Sequence, residues 1–272
     1  PADPWLRVAL GLAGSIAESL SVAAAFEVEA ELLRRSGERD DEIAGRAMSI
    51  AASQEIIGIG HRLLNMVQRA ICARTDYREL LRQSKDGALA SCASYDNPRS
   101  ADKEAWLSLN TTTVKALGKA TRPIPHPSIR SAALGLSDLV HSAEWITLNE
   151  IRGEVFHRSR PESSVAAGLD GASGIVSPIS NADGKIIGYS TGERTRYSGG
   201  DDRWKAESDA TRAALRRIAA ASVSITTALR CAVEPLTSGR RSVVVEPHGV
   251  SRRQHWRGWD DSRCSCCQTS AL

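Results

Sequence analysis

Residues 128–157 read SIRSAALGLSDLVHSAEWITLNEIRGEVFH, and the reading of this stretch decides the fold. Ile129, Ala133, Leu136, Val140, Ala143, Thr147, Ile151 and Val155 recur every three or four positions. Leu139, Ile146 and Leu148 widen that stripe, which has the period of an α-helix buried along one side. Ser128 suits an N-cap and Pro161 stops the pattern, so one helix is expected from Ser128 to about His157.

Upstream, Asp3-Pro4 opens a helix that runs from Trp5 to Arg35 and ends at Ser36-Gly37. Asp40-Asp41 start a second long helix with the stripe Ile43, Ala47, Ile50, Gln54, Ile57, His61, Leu64 and Ile71. The pattern weakens from Thr75 to Ser100, where Asp96-Asn97-Pro98 marks a turn, and a shorter helix is expected from Ala101 to Lys119. Arg122 to Pro127 should be extended, because each proline disfavours helix at the residue before it.

Downstream of Pro161 the text changes character. Gly174-Ile175-Val176 and Lys185-Ile186-Ile187-Gly188-Tyr189 flank Asn181-Ala182-Asp183-Gly184, which reads as a β-hairpin inside a long loop. Asp201-Asp202 begin a last helix along Thr211, Leu215, Ile218, Ser222, Ile225, Leu229 and Val233. Spacing this regular calls for a packed helical partner, within the fold or across a dimer seam. The expectation is an all-α antiparallel bundle over 1–238, with an insert at 162–202 and an irregular, basic, cysteine-containing tail at 239–272.

Composition agrees with that class. The 272 residues are 42% hydrophobic but only 4% aromatic, which suits close-packed helices better than a β-sandwich. A net charge of +3 is mildly basic and allows a nucleic-acid partner. Cys72, Cys92 and Cys231 are scattered and Cys264, Cys266 and Cys267 crowd the far end, so no pairing framework is visible and a reducing, cytoplasmic setting is expected. Val8 to Phe26 is the most apolar run, and its interruption by Glu18 and serines argues against a membrane span. The first residue is Pro1, which reads as a processed, trimmed or partial chain. No Walker loop, dinucleotide-type glycine pattern or serine-nucleophile elbow is present, so no nucleotide cofactor is expected.

The chemistry is expected where the 128–157 helix runs out. Arg152 is followed, after four residues, by His157; a looser pair with six residues between, Arg241 and His248, lies in the irregular tail and is set aside. His157 is a natural general base, since an imidazole titrates near working pH. Arg152 would hold phosphate oxygens, and Arg158 and Arg160 would add a sequence-blind pull on an RNA backbone. On a straight helix, positions five apart point roughly 140° from each other, so convergence needs a relaxed helix end near Gly153 or a second copy of the chain. The plainer alternative makes Arg152 an ion-pair partner of Glu150 or Glu154 and His157 a helix-end cation.

The run Asn149-Glu150-Ile151-Arg152-Gly153-Glu154-Val155-Phe156-His157-Arg158 resembles the signature of HEPN domains, helical proteins with an arginine, four to six residues and a histidine at the end of a core helix. The resemblance implies a helical bundle, a homodimer and a metal-independent ribonuclease site without cofactor. It further implies a toxin–antitoxin, phage-defence or RNA-processing role, with an antitoxin or regulatory protein as a further partner. One departure stands out: the family often carries a polar residue, commonly asparagine, directly after the arginine, and here that position is Gly153. A binding-only helical module is therefore the rival expectation.

Four other features rank lower. His61 lies on an apolar stripe and reads as a satisfied core residue, or else as support for a catalytic group. His126 stands between prolines and reads as linker. Arg252-Arg253-Gln254-His255-Trp256-Arg257-Gly258-Trp259 mixes cations with aromatics, as a single-strand RNA contact would, but reads first as a solvated tail. Cys264, Cys266 and Cys267 with His255 match no usual zinc spacing, so no metal is expected.

Overall fold

The long helices follow from alanine-rich text with proline kept near the ends. In the computed structural model, residues 3–36, 39–157, 176–180, 186–191 and 200–237 are described. They form α1 (Pro4–Ser36), α2 (Arg39–Cys72), α3 (Thr75–Arg82), α4 (Gly87–Ser94), α5 (Pro98–Glu104), α6 (Thr111–Thr121), α7 (Pro127–Val140), α8 (Ala143–His157), strands β1 (Val176–Ser180) and β2 (Ile186–Thr191), and α9 (Gly200–Thr237). The architecture is helical. β1 and β2 pair antiparallel from Val176 opposite Thr191 to Ile179 opposite Gly188, with an irregularity after Ile179. The turn expected at Asn181–Gly184 and the tail after Thr237 lie outside the described residues.

α2 is the central element. Every residue from Leu63 to Cys72 is buried, including Asn65, Gln68 and Arg69. α1 lies antiparallel along it. Glu27 meets Ser49, Ser19 meets Arg62 and Trp5 lies under Arg69, so the residue order runs in opposite senses on the two helices. α9 covers the assembly through Ile218, Ser222, Ile225 and Leu229, all buried. The regular stripe on α9 is thus used inside the fold, against α7, α2, α8 and α1.

Two expected helices prove to be four. The single helix from Ser128 to His157 breaks at His141-Ser142 into α7 and α8. The Ser142 hydroxyl accepts from the Trp145 N–H at 3.3 Å and donates to the Leu139 carbonyl at 2.9 Å, closing one helix and capping the next. The break turns the buried face. Trp145 and Leu148 go inward, while Ala143, Ile146 and Thr147 are exposed. Likewise, the helix expected over Ala101–Lys119 is interrupted by non-helical residues 105–110. Leu107 and Leu109 of that segment are buried, and Asn110 caps α6 by accepting from the Thr113 N–H at 2.9 Å.

α1 corrects the membrane reading. By length and composition alone it is apolar enough to cross a membrane. The same test is passed by core helices of soluble proteins, and Glu27 on its buried face is bonded to residues of α2 and α9.

Candidate functional site between α2 and α8

α8 is seated by its own sequence. Trp145 is buried against Gly60 of α2, where there is no side chain to hold it off. Leu148 follows one turn later, fully buried, and Asn149 donates from Nδ2 to the Trp145 carbonyl at 2.8 Å. Ile151 then reaches a shallow cleft lined by Arg46, Ser49, Ile50 and Ser53 of α2 and Glu207 and Thr211 of α9. Arg152, next along, is exposed. A methyl group at Gly153 would meet no described atom within 4 Å, so packing does not require glycine there.

The helix continues through His157 without a break. The expected turning-back at Gly153 therefore does not occur, and positions 152 and 157 fall about 140° apart around one helix. One chain does not bring that pair together through its backbone. The His157 side chain, and the whole of Arg158 and Arg160, lie outside the described residues.

A different histidine, on α2, feels the charge of Arg152. His61 is half-buried on α2, and its Nδ1 accepts a hydrogen bond from the Leu109 N–H at 2.9 Å. Burial pushes its pKa below the ordinary imidazole value, and the guanidiniums of Arg152 and Arg62 push it further in the same direction. Arg62 itself donates from Nη1 to Ser19 Oγ at 2.7 Å and pairs with Glu55 at 3.7 Å. One turn on, Asn65 donates to the His61 and Leu107 carbonyls at 2.8 Å each and accepts from the Leu107 N–H at 3.1 Å. The segment 105–110 is thereby pinned beside His61. The sequence placed His61 on α2's stripe but nothing in it linked that position to Arg152, which lies on another helix.

Two further polar clusters are built into the core. Arg69, with 0% of its side chain exposed, donates to Asp102 at 3.0 and 2.7 Å, to Gln68 and to the Cys92 sulfur, and its guanidinium lies 5.6 Å from the Trp5 ring centre. Burial drives the Cys72 thiol up to about 12 and raises that of Cys92, so both stay protonated and weakly nucleophilic. In the other cluster, Glu27 accepts from Ser49 at 2.8 Å, Ser208 at 3.3 Å and Arg212 at 3.4 Å, joining α1, α2 and α9. The first cluster ties α2 to α4 and α5, the second α1 to α2 and α9. His126, expected in a linker, immediately precedes α7 as its N-cap residue. Among the described residues no three His, Cys, Asp or Glu side chains cluster as a metal site would need, and Cys264, Cys266, Cys267 and His255 lie outside them.

No protein-family model, curated protein or solved structure matches this chain significantly.

Proposed function

We propose that the chain is a metal-independent endoribonuclease of HEPN type, working as a homodimer in which two copies of α8 share one cleft. The observation that carries this reading is Arg152, an exposed guanidinium near the end of a core helix whose next residues are those of the HEPN-like run. His157 takes the proton from a ribose 2′-hydroxyl, and the oxygen attacks the adjacent phosphorus. The bond to the 5′-oxygen breaks, that oxygen takes up the proton that His157 had accepted, and a 2′,3′-cyclic phosphate remains. Arg152 neutralises charge on the non-bridging oxygens as it builds. Arg158 and Arg160 draw in the backbone. A second copy supplies the half of the site that the 140° separation denies to one chain. An antitoxin-like or regulatory protein would restrain such an activity in a toxin or defence system.

The test uses purified protein and single-stranded RNA in EDTA. Wild type should cut and leave 2′,3′-cyclic ends, while Arg152→Ala and His157→Ala should each lose at least about a hundredfold in rate. Equal cutting by all three proteins removes this pair from the mechanism.

A second reading has an observation of its own. Leu10, Val28 and Leu32 on α1 are 60%, 61% and 56% exposed, which favours a non-catalytic helical module that docks a partner along α1. That reading expects no cleavage, and loss of association when Val28 is replaced by glutamate.

A further inference from the structure

We propose that the outer face of α6 is a docking strip for single-stranded RNA. Lys115, Lys119 and Arg122 follow at intervals of four and three residues, and Arg122, the C-cap residue, keeps helical backbone angles. They therefore share one side of the helix over about 10 Å, one cation per turn. All three are exposed, as is Arg130 on α7, across the short connection at 122–126. None of the four makes a salt bridge or a side-chain hydrogen bond among the described residues.

The surroundings leave that charge unanswered. From Ala105 to Ser137 the chain carries these four cations and His126 and no acidic residue. Packed against α6 are α3, α4 and α7. On α3, Asp76 and Glu79 are already engaged by Arg74 at 2.9 Å and Arg82 at 3.6 Å. α4 holds no acid, and α7 holds only Asp138, two turns or roughly 12 Å along the helix from Arg130. Glu104, just ahead of the stretch, accepts from the Tyr95 hydroxyl at 3.0 Å. Cations in a row without counter-charges attract a chain of phosphates.

The rest of the face favours a strand in water over a lipid surface. Val114 and Leu117 of α6 are buried, and its exposed positions are Thr111, Thr112, Lys115 and Lys119. A helix lying on a membrane would present apolar side chains there instead. At the N-terminal end, burial of Leu107 and Leu109 alternates with exposure of Trp106, Ser108 and Asn110 in the segment that leads into α6. Trp106, 41% exposed, offers a ring on which a base can stack. That the strand is RNA rests on the nuclease reading above; the attraction for a phosphate backbone does not.

The experiment uses full-length protein and a 2′-O-methyl oligouridine, which cannot undergo 2′-hydroxyl attack. Lysine acetylation is read by mass spectrometry with and without this probe. It should protect Lys115 and Lys119 severalfold and leave Lys85, ahead of α4, and Lys103, on α5, unchanged. This readout on wild type stands whether or not any variant folds. By fluorescence anisotropy at about 0.1 M salt, the combined Lys115→Gln, Lys119→Gln and Arg122→Gln variant should bind at least about tenfold more weakly, with a log–log salt slope flatter by about 2. A charge-matched variant with Arg99→Gln, Lys103→Gln and Lys205→Gln should bind as wild type does. Lys115 and Lys119 left unprotected, or equal losses in the two variants, overturn the proposal. Protection by phosphatidylserine vesicles and none by the oligouridine overturns it as well and gives the face to a membrane. RNA cutting that needs Arg152, with binding indifferent to the α6 substitutions, sinks the strip and leaves the nuclease; protection of both lysines without any cutting does the reverse.

Discussion

A methyl group at Gly60 would stand 2.3 Å from Trp145 Cη2, 2.7 Å from Cζ3 and 3.1 Å from Leu109 Cδ2. The indole is buried and held from behind, so it cannot swing aside as a flexible side chain would. Gly60→Ala should therefore destabilise the fold by about 1–3 kcal/mol in urea unfolding, although alanine favours helix over glycine. Gly153→Ala, with nothing in reach, should be neutral or slightly stabilising in the same assay. Glu27 and Glu31 share Arg212 yet respond oppositely to pH. Burial raises Glu27 above its ordinary 4.5 against the pull of Ser49 and Arg212, while hydrogen bonds from Arg34 and Arg35 draw Glu31 down to about 2. A carboxyl raised in the folded state binds its proton more tightly there than when unfolded. Glu27 thus costs stability as pH climbs through and above 4.5, and Glu27→Gln should gain on wild type over that rise. Glu31 contributes stability above 4.5 that is lost as pH falls toward 2, so Glu31→Gln should converge on wild type in acid. Unfolding free energies measured across that range check both signs.

At the scale of elements, Ser142 separates two helices that the hydrophobic period alone would join. Val140, Ala143, Thr147 and Ile151 keep helical spacing across the break, so the pattern carried no mark of it. A side-chain hydroxyl at the right place outweighed periodicity, because it closes the first turn of α8 and the last turn of α7 together. Ser142→Ala should cost about 1 kcal/mol by denaturant unfolding, and Ser142→Asp, which can still accept at the α8 N-terminus, should recover much of it. The extended residues 105–110 were hidden for a similar reason. Leu107 and Leu109, two apart, have the period of extended chain, but the run is too short to show against the helical text on either side, and the hydrogen bonds of Asn65 that hold Leu107 come from a residue on α2. By contrast α1, the body of α2 and α9 were legible, α1 from its Asp3-Pro4 start and Ser36-Gly37 end, α2 and α9 from long stripes behind acidic starts.

For the whole molecule, the helical class could be read from composition and period, while the effect of the Arg152 charge on His61 could not. It arises from the packing of α8 on α2, set by Gly60 and Trp145, and no local pattern encodes a meeting between distant positions. The polar knot at Glu27 and Arg212 ties the first and last helices to α2, so the bundle should unfold as one unit. Arg212→Ala should lower the midpoint without changing the single-step form of a two-probe melt. Separate fluorescence and circular-dichroism transitions would sink that expectation. The stretch of α2 from Leu63 to Cys72 has no face left for water. A saturation library there should return an uninterrupted block of ten intolerant positions, where an amphipathic helix would give alternating tolerance every third or fourth site. Its amides, shielded on every side, should also be among the last in the protein to take up deuterium.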